Sequence, residues 1–315
     1  VGAGAALSSL GTTAAVAAQP KFVKPTAEKP MLLCFNENPL GMSEKAKEAV
    51  AKAAMYGSRY PFAQVIAFKK DLAKFMNVRP DELLCDMYKV PKNFLLLTDG
   101  SSEGIRALMG AYSRLPKVQL VIPELTYGDG ADVAKRNNIP VKNVKMGPNW
   151  SIDLAALRKV ATAEAKKHRV LVYLVNPNNP TSTIADSNEI FNWIKSQPKN
   201  TFFILDEAYA EFVTDPSFKS CNELVRQGFD NLVVLKTFSK IFAMAGMRLG
   251  YAVGAVNVIN KIRDHVAYEV MMNQTTLAAA LSELNDKEFL KESKESNDEA
   301  REILYKALKE LNIPY

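Results

Sequence analysis

A lysine, two hydroxyls and an arginine fall within one short stretch of this chain, residues 234–250, which reads VLKTFSKIFAMAGMRLG. An apolar run ends in Thr237-Phe238-Ser239-Lys240, a small-residue segment follows, and Arg248 comes eight residues after the lysine. Most lysines are solvated residues on helices. A lysine held at the end of a buried strand behaves differently, because desolvation strips its proton and the free amine attacks an aldehyde to make a Schiff base. Thr237 and Ser239 place hydroxyls beside it, and Arg248 offers a planar, bidentate guanidinium. That donor set suits a phosphate.

The elements that must hold these groups are read from the rest of the pattern. Short continuous apolar runs alternate with helix-like segments, as in a mainly parallel sheet covered on both faces. FLLL (94–97), VQLVI (118–122), VLVYLV (170–175), TFFIL (201–205) and LVVL (232–235) are expected strands, with LGYAVG (249–254) a sixth. Helices are expected after Ser43, over residues 65–76, from about Ser102, Gly128 and Ser187, and through the charged region beyond Val256. In open α/β sheets ligands lie beyond the carboxyl ends of the strands. At those ends stand Thr98-Asp99-Gly100-Ser101-Ser102, Pro123-Glu124-Leu125-Thr126-Tyr127, Asn176-Pro177-Asn178-Asn179-Pro180-Thr181, Asp206-Glu207-Ala208-Tyr209 and Lys236-Thr237-Phe238-Ser239-Lys240.

One ligand class uses all of these. The Gly100-Ser101-Ser102 turn at a helix start offers backbone N–H groups to an anion, most naturally a phosphate. A carboxylate at a strand end, Asp206, pairs with a protonated pyridine nitrogen, the interaction that makes pyridoxal phosphate an electron sink. Tyr127 stacks on the ring, and Asn179 and Tyr209 reach its 3′ oxygen. Each element alone has an ordinary reading: a strand-end Asp is commonly a cap, Gly-Ser-Ser a turn, Tyr127 plain packing. Their joint order is what an ordinary reading does not produce.

The ordered set NPNNPT, DEAYAEF and TFSKIFAMAGMRLG resembles the class I/II aminotransferases of the aspartate-aminotransferase fold (fold type I), and among them the histidinol-phosphate aminotransferases most. NENPLG (36–41), SRYP (58–61), TDGSSEGI (98–105) and LTYG (125–128) extend the likeness from about residue 31 to the end. The resemblance implies a large three-layer αβα domain over 61–275 that binds pyridoxal 5′-phosphate, with an N-terminal arm and helix over 20–60. It also implies that 276–315 begins a smaller α+β domain. Lys240 would hold the cofactor as a Schiff base and, once released, carry the proton between the substrate α-carbon and the cofactor C4′. Asp206 would pair with the pyridine nitrogen, Asn179 and Tyr209 with the phenolic oxygen, and Tyr127 would stack over the ring. Gly100, Ser101, Ser102, Thr237, Ser239 and Arg248 would hold the phosphate. Tyr60 matches a tyrosine that reaches the cofactor phosphate of a neighbouring subunit, so a homodimer is implied. The reaction would be ping-pong, from an amino donor to a 2-oxo acid such as 2-oxoglutarate. There are departures from the family pattern. Ser182 replaces the glycine of N-N-P-T-G, Lys236 stands where arginine is common, and the family's substrate-carboxylate arginine lies in a region beyond Tyr315. A lyase on the same scaffold, such as an amino-acid phosphate decarboxylase, and a cofactor-binding module without turnover are the alternative readings.

Composition narrows the classes. With 48% hydrophobic and 23% charged residues, the 315-residue chain reads as an ordinary globular protein with ample core. Its net charge of +6 is spread over helix faces without the aromatic-basic clusters of a nucleic-acid surface, and it is compatible with an anionic small substrate. Cys34, Cys85 and Cys221 lie far apart, so neither a disulfide framework nor a metal site is expected, and only His168 and His265, both expected at the surface, supply imidazole. Residues 1–19, small and uncharged with an AVAA segment, read as the remnant of an export signal or as an Ala-rich leader. Histidine biosynthesis is cytoplasmic work, so a true signal would favour another amino donor.

Overall fold

A computed structural model of the chain describes residues 26–28, 32–77, 94–267 and 269–315. The expected leader, most of the arm and Cys85 lie outside them. The chain divides between Asn36 and Glu37. Residues 26–28 and 32–36 of the first unit are exposed, and the second, Glu37–Tyr315, carries the fold.

Seven strands form its sheet: β1 (Leu95–Thr98), β2 (Val118–Pro123), β3 (Val141–Val144), β4 (Arg169–Val175), β5 (Thr201–Asp206), β6 (Leu232–Thr237) and β7 (Gly250–Gly254). Their order is β1-β7-β6-β5-β4-β2-β3. Strands β3, β2, β4, β5 and β6 pair in parallel, and β7 runs antiparallel to both β6 and β1. Every strand except β7 therefore points the same way, so the carboxyl ends of β1, β2, β4, β5 and β6 share one edge. The six expected strands are present. β3, Val-Lys-Asn-Val, was not expected, because an edge strand with two exposed polar residues carries no apolar run.

Alternate residues along each strand enter different cores, as the two-residue period requires. Leu95, Leu97, Val172, Leu174, Phe203, Leu205, Val234 and Val253 face one core. It is covered by α1 (Glu44–Ala54), α2 (Phe62–Phe75), α5 (Leu154–Glu164), α6 (Ser187–Lys195) and α9 (Gln274–Asn285). Leu96, Leu120, Leu171, Tyr173, Ile204, Val233, Leu235 and Ala252 face the other, under α3 (Ser101–Ser113), α4 (Asp129–Arg136) and α8 (Val256–Arg263). This is the expected three-layer α/β arrangement. The short α7 (Asn222–Arg226) lies beside β6 and β7, and α10 (Lys287–Glu310) runs on as a long charged helix. The Ser43 hydroxyl caps α1 by accepting from the Ala46 N–H at 3.1 Å. Burial of both histidines is partial rather than slight, and His265 packs against Gly110 of α3.

Gly250, at the head of β7, sits where a Cβ would lie 2.6 Å from the Gly100 carbonyl carbon, 2.7 Å from the Lys236 oxygen and 2.8 Å from the Ser101 nitrogen. All three are backbone atoms that cannot swing aside. Overpacking of this kind costs about 1–3 kcal/mol. We expect Gly250→Ala to lower the urea midpoint with an unchanged slope; an unaltered midpoint would refute the close approach of β7 to the start of α3.

Candidate active site

The end of β6 delivers the lysine. Phe238, fully buried, anchors the turn by packing 5.6 Å from the Phe68 ring and 4.4 Å from Phe242. The Thr237 hydroxyl donates to Ser239 Oγ at 2.9 Å, and the Ser239 N–H donates to Thr237 Oγ1 at 3.1 Å. Lys240 follows, half-buried, its Nζ 5.5 Å from the centre of the Tyr209 ring. Burial pushes its amine below the ordinary lysine range and Arg248 acts the same way, against the pull of Glu37 and Asp206. A depressed amine is what nucleophilic attack on an aldehyde needs.

Three elements meet to form an anion cradle. Gly100, between β1 and α3, adopts φ 78 and ψ 169, a region essentially closed to other residues. Its missing Cβ is what admits Arg248 Nη2, which donates to the Asp99 carbonyl at 3.1 Å. Arg248, itself left-handed at φ 56, donates through Nη1 to the Ala245 carbonyl at 2.8 Å and to Ser239 Oγ at 3.4 Å. The free N–H groups of a helix start, a hydroxyl and a guanidinium thus converge on a place that a side chain at position 100 would fill. A phosphate group fits this donor set.

Asp206 closes β5 and is 1% exposed. Its Oδ2 accepts from the Tyr173 hydroxyl at 2.9 Å, and its Oδ1 from the Ala208 N–H at 3.2 Å. Burial raises its carboxyl to about 6, while those two hydrogen bonds pull it down. Asn179 donates to the Tyr209 hydroxyl at 3.4 Å, so these two predicted partners of one oxygen stand together. The loop carrying Asn179 is fastened by its buried neighbour Asn178. That residue accepts from Thr126 Oγ1 at 2.8 Å and donates to the Leu125 carbonyl at 3.0 Å and to Thr181 Oγ1 at 2.8 Å. Ser182, which stands where the family pattern has glycine, takes φ 55, the left-handed region that glycine enters most readily.

The structure adds residues that the sequence reading missed. Asp129 Oδ2 accepts from both Ser102 Oγ at 2.9 Å and the Tyr127 hydroxyl at 3.0 Å, tying a predicted phosphate ligand to the predicted stacking ring. Tyr173 and Asn178 were passed over as a strand residue and a loop residue. Their local sequence does not mark them, because the partner of Tyr173 lies 33 positions away and two of the three partners of Asn178 lie about 50 away. Ser101 opens α3 beside Gly100. Tyr60 stands apart from these contacts, 66% exposed before α2, with its ring edge-on to Phe62. Lys236 and Glu207, next to the site residues in sequence, face the opposite side of the sheet. There Lys236 Nζ lies 3.2 Å from Glu207 and 2.8 Å from Glu211.

The Asp206 shift has a defined sign. Between the ordinary value of 3.8 and about 6, the folded cofactor-free protein holds a proton that the unfolded chain gives up. Stability from this group therefore falls as pH rises through that window. Asp206→Asn mimics the protonated acid, so the cofactor-free variant should exceed wild type by about 3 kcal/mol near pH 8, two units at about 1.4 kcal/mol each. The gap should close below about pH 4, as denaturant titrations of both proteins will show; a gap independent of pH would contradict the buried-acid account.

Comparison with known proteins agrees with this geometry. The model of the family aminotransferase class I and II matches residues 28–315. The histidinol-phosphate aminotransferase of Caldicellulosiruptor saccharolyticus is 31% identical over 91% of this chain and 75% of its own length. That of Symbiobacterium thermophilum is 34% identical over 89% and 72%. A crystal structure from Erwinia carotovora atroseptica, provisionally assigned as a histidinol-phosphate aminotransferase, superposes with TM-score 0.85 at 46% identity, over 93% of this chain and 80% of that one. The Sinorhizobium meliloti histidinol-phosphate aminotransferase, solved in complex with pyridoxal 5′-phosphate, gives TM-score 0.74 at 22% identity, over 89% and 72%. The chain therefore belongs to the class I and II aminotransferases, and is a pyridoxal 5′-phosphate-dependent enzyme of fold type I.

Proposed function

We propose that this aminotransferase takes its amino group from histidinol phosphate or a closely related amino-phosphate or amino acid and passes it to a 2-oxo acid such as 2-oxoglutarate. The observation that carries the choice of donor is that relatives at 29–34% identity, matched over 89–91% of this chain, are histidinol-phosphate aminotransferases. Pyridoxal phosphate supplies an aldehyde that accepts amines and a protonated ring that draws electrons from the bond to be broken. The chain's own residues do the rest. The start of α3 with Ser239 and Arg248 binds the phosphate. Asp206 holds the proton on the ring nitrogen, and Asn179 with Tyr209 binds the ring oxygen. Lys240 supplies the amine that anchors the cofactor and, when displaced, the base that moves the proton at the donor's α-carbon. Burial lowers its pKa, which raises the share of free amine available for both tasks.

Tyr60, exposed and aromatic, is the residue through which a second copy of the chain would complete the phosphate site, making the working enzyme a homodimer. No helix among the described residues is long and apolar enough to cross a membrane. The lyase reading is not favoured, since the curated relatives are aminotransferases.

The purified wild-type protein should show the absorbance of lysine-bound cofactor and yield an adduct that borohydride traps, and Lys240→Ala should lose both, together with turnover. A wild type without a trappable adduct would end the enzyme reading. Adding histidinol phosphate should shift the spectrum and release a keto product without carbon dioxide. Release of carbon dioxide would mean the lyase, and a response only to other amino acids would move the donor.

A further inference from the structure

Tyr173 is fully buried among Leu171, Val175 and Ile204 on the α3–α4 side of the sheet. The β4–β5 register sets Val175 opposite Asp206 and Tyr173 opposite Ile204. Tyr173 thus lies diagonal to Asp206 on the same face, within reach of an aromatic side chain. Packing would be met by phenylalanine. The hydroxyl is instead committed to Asp206 Oδ2 at 2.9 Å. The ring has a slot of its own: a Cβ on Gly130 of α4 would come within 2.6 Å of two of its carbons. The α4 backbone is therefore laid against the ring, and the phenol has no room to turn away from the carboxylate.

We propose that Tyr173 is a positioning residue for cofactor binding, holding the Asp206 carboxylate in its ionised form and in one orientation for the ring nitrogen. The inference rests on the pyridoxal phosphate reading of the site. Several groups act on Asp206. Asp129 from α4 and, from the other face of the sheet, Glu207 just past the end of β5 push its carboxyl toward protonation, while the Tyr173 hydroxyl and the Ala208 N–H resist. Tyr127 from the loop before α4 and Lys240 beyond β6 also interact with it. A buried carboxylate with two like charges nearby depends on its donors to stay charged. Removing the phenol leaves the Ala208 N–H, so Asp206 takes its proton at higher pH and ceases to pair with the pyridinium.

The test titrates pyridoxal 5′-phosphate into cofactor-free wild type, Tyr173→Phe and Gly130→Ala between about pH 5 and 9, following intrinsic fluorescence, with thermal unfolding of each cofactor-free protein alongside. Tyr173→Phe should bind about tenfold more weakly near neutrality, the usual loss for a hydrogen bond to a charged group. The acid limb of its binding curve should move to higher pH. Gly130→Ala, which crowds the ring from the other side, should move the limb the same way and carries the test if the Phe variant does not fold. Wild-type affinity and an unmoved limb in Tyr173→Phe, with only a lowered melting temperature, would make Tyr173 a packing residue and overturn the inference. Wild type that takes up no pyridoxal phosphate would instead overturn the cofactor reading itself, and this inference with it.

Discussion

Side chains alternate across a strand, and at the ends of β5 and β6 that alternation sorts four polar residues between two faces. Asp206 and Thr237 fall on the α3–α4 side, where the cofactor groups gather, and Glu207 and Lys236 fall on the other. On that second face burial demands that charges pair, and Lys236, 5% exposed, lies against both Glu207 and Glu211. Burial lowers the lysine's pKa and the two carboxylates raise it further than burial depresses it, so it stays charged. Glu207 also receives the Ser220 hydroxyl at 2.6 Å and the Cys221 N–H at 2.7 Å. Because Glu211 belongs to the turn that follows Tyr209, this network fastens the Tyr209 loop to the strand that carries Lys240. Removing one partner of a buried ion pair costs more than the pair contributes, because the other charge is left stranded.

The cofactor face is governed by close backbone approach as much as by donors. Gly250 lets β7 pass against the start of α3, Gly100 admits the guanidinium of Arg248, and Gly130 makes room for the ring of Tyr173. At each a side chain would occupy space that a functional group needs. Arg248 reaches the cradle only because the chain turns left-handed there, between the 3-10 turn at Ala245–Met247 and β7. The small residues before it serve that turn rather than a helix. Asn38 contributes as well: it donates to the Ile241 carbonyl at 3.2 Å and to Ser293 Oγ at 3.0 Å, bracing the residue after Lys240 against α10.

Much of this was legible in the chain. Apolar runs ending in turn formers marked six strands and, through the rule that ligands gather beyond strand ends, named the groups that the structure brings together: Lys240 with Tyr209, Tyr209 with Asn179, Arg248 with Ser239 and Gly100. Ser43 announced α1 by its capping hydroxyl. What stayed hidden were residues whose meaning is relational. Tyr173 reads as one more apolar strand position, Asp129 as a helix-start acid, Asn178 as loop, and β3 as nothing in particular.

The division has a physical reason. Strand and helix formation, caps and turns depend on neighbours in sequence, so local types and spacing determined the elements, the order of the polar groups along the carboxyl edge, and through them the cofactor and the family. Strand order, register and the close passage of β7 and α4 depend on contacts between segments tens of residues apart. Only the folded chain decided that Tyr173 lies diagonal to Asp206, that one oxygen of Asp129 serves both Ser102 and Tyr127, and that Lys236 turns its charge away from the site it adjoins.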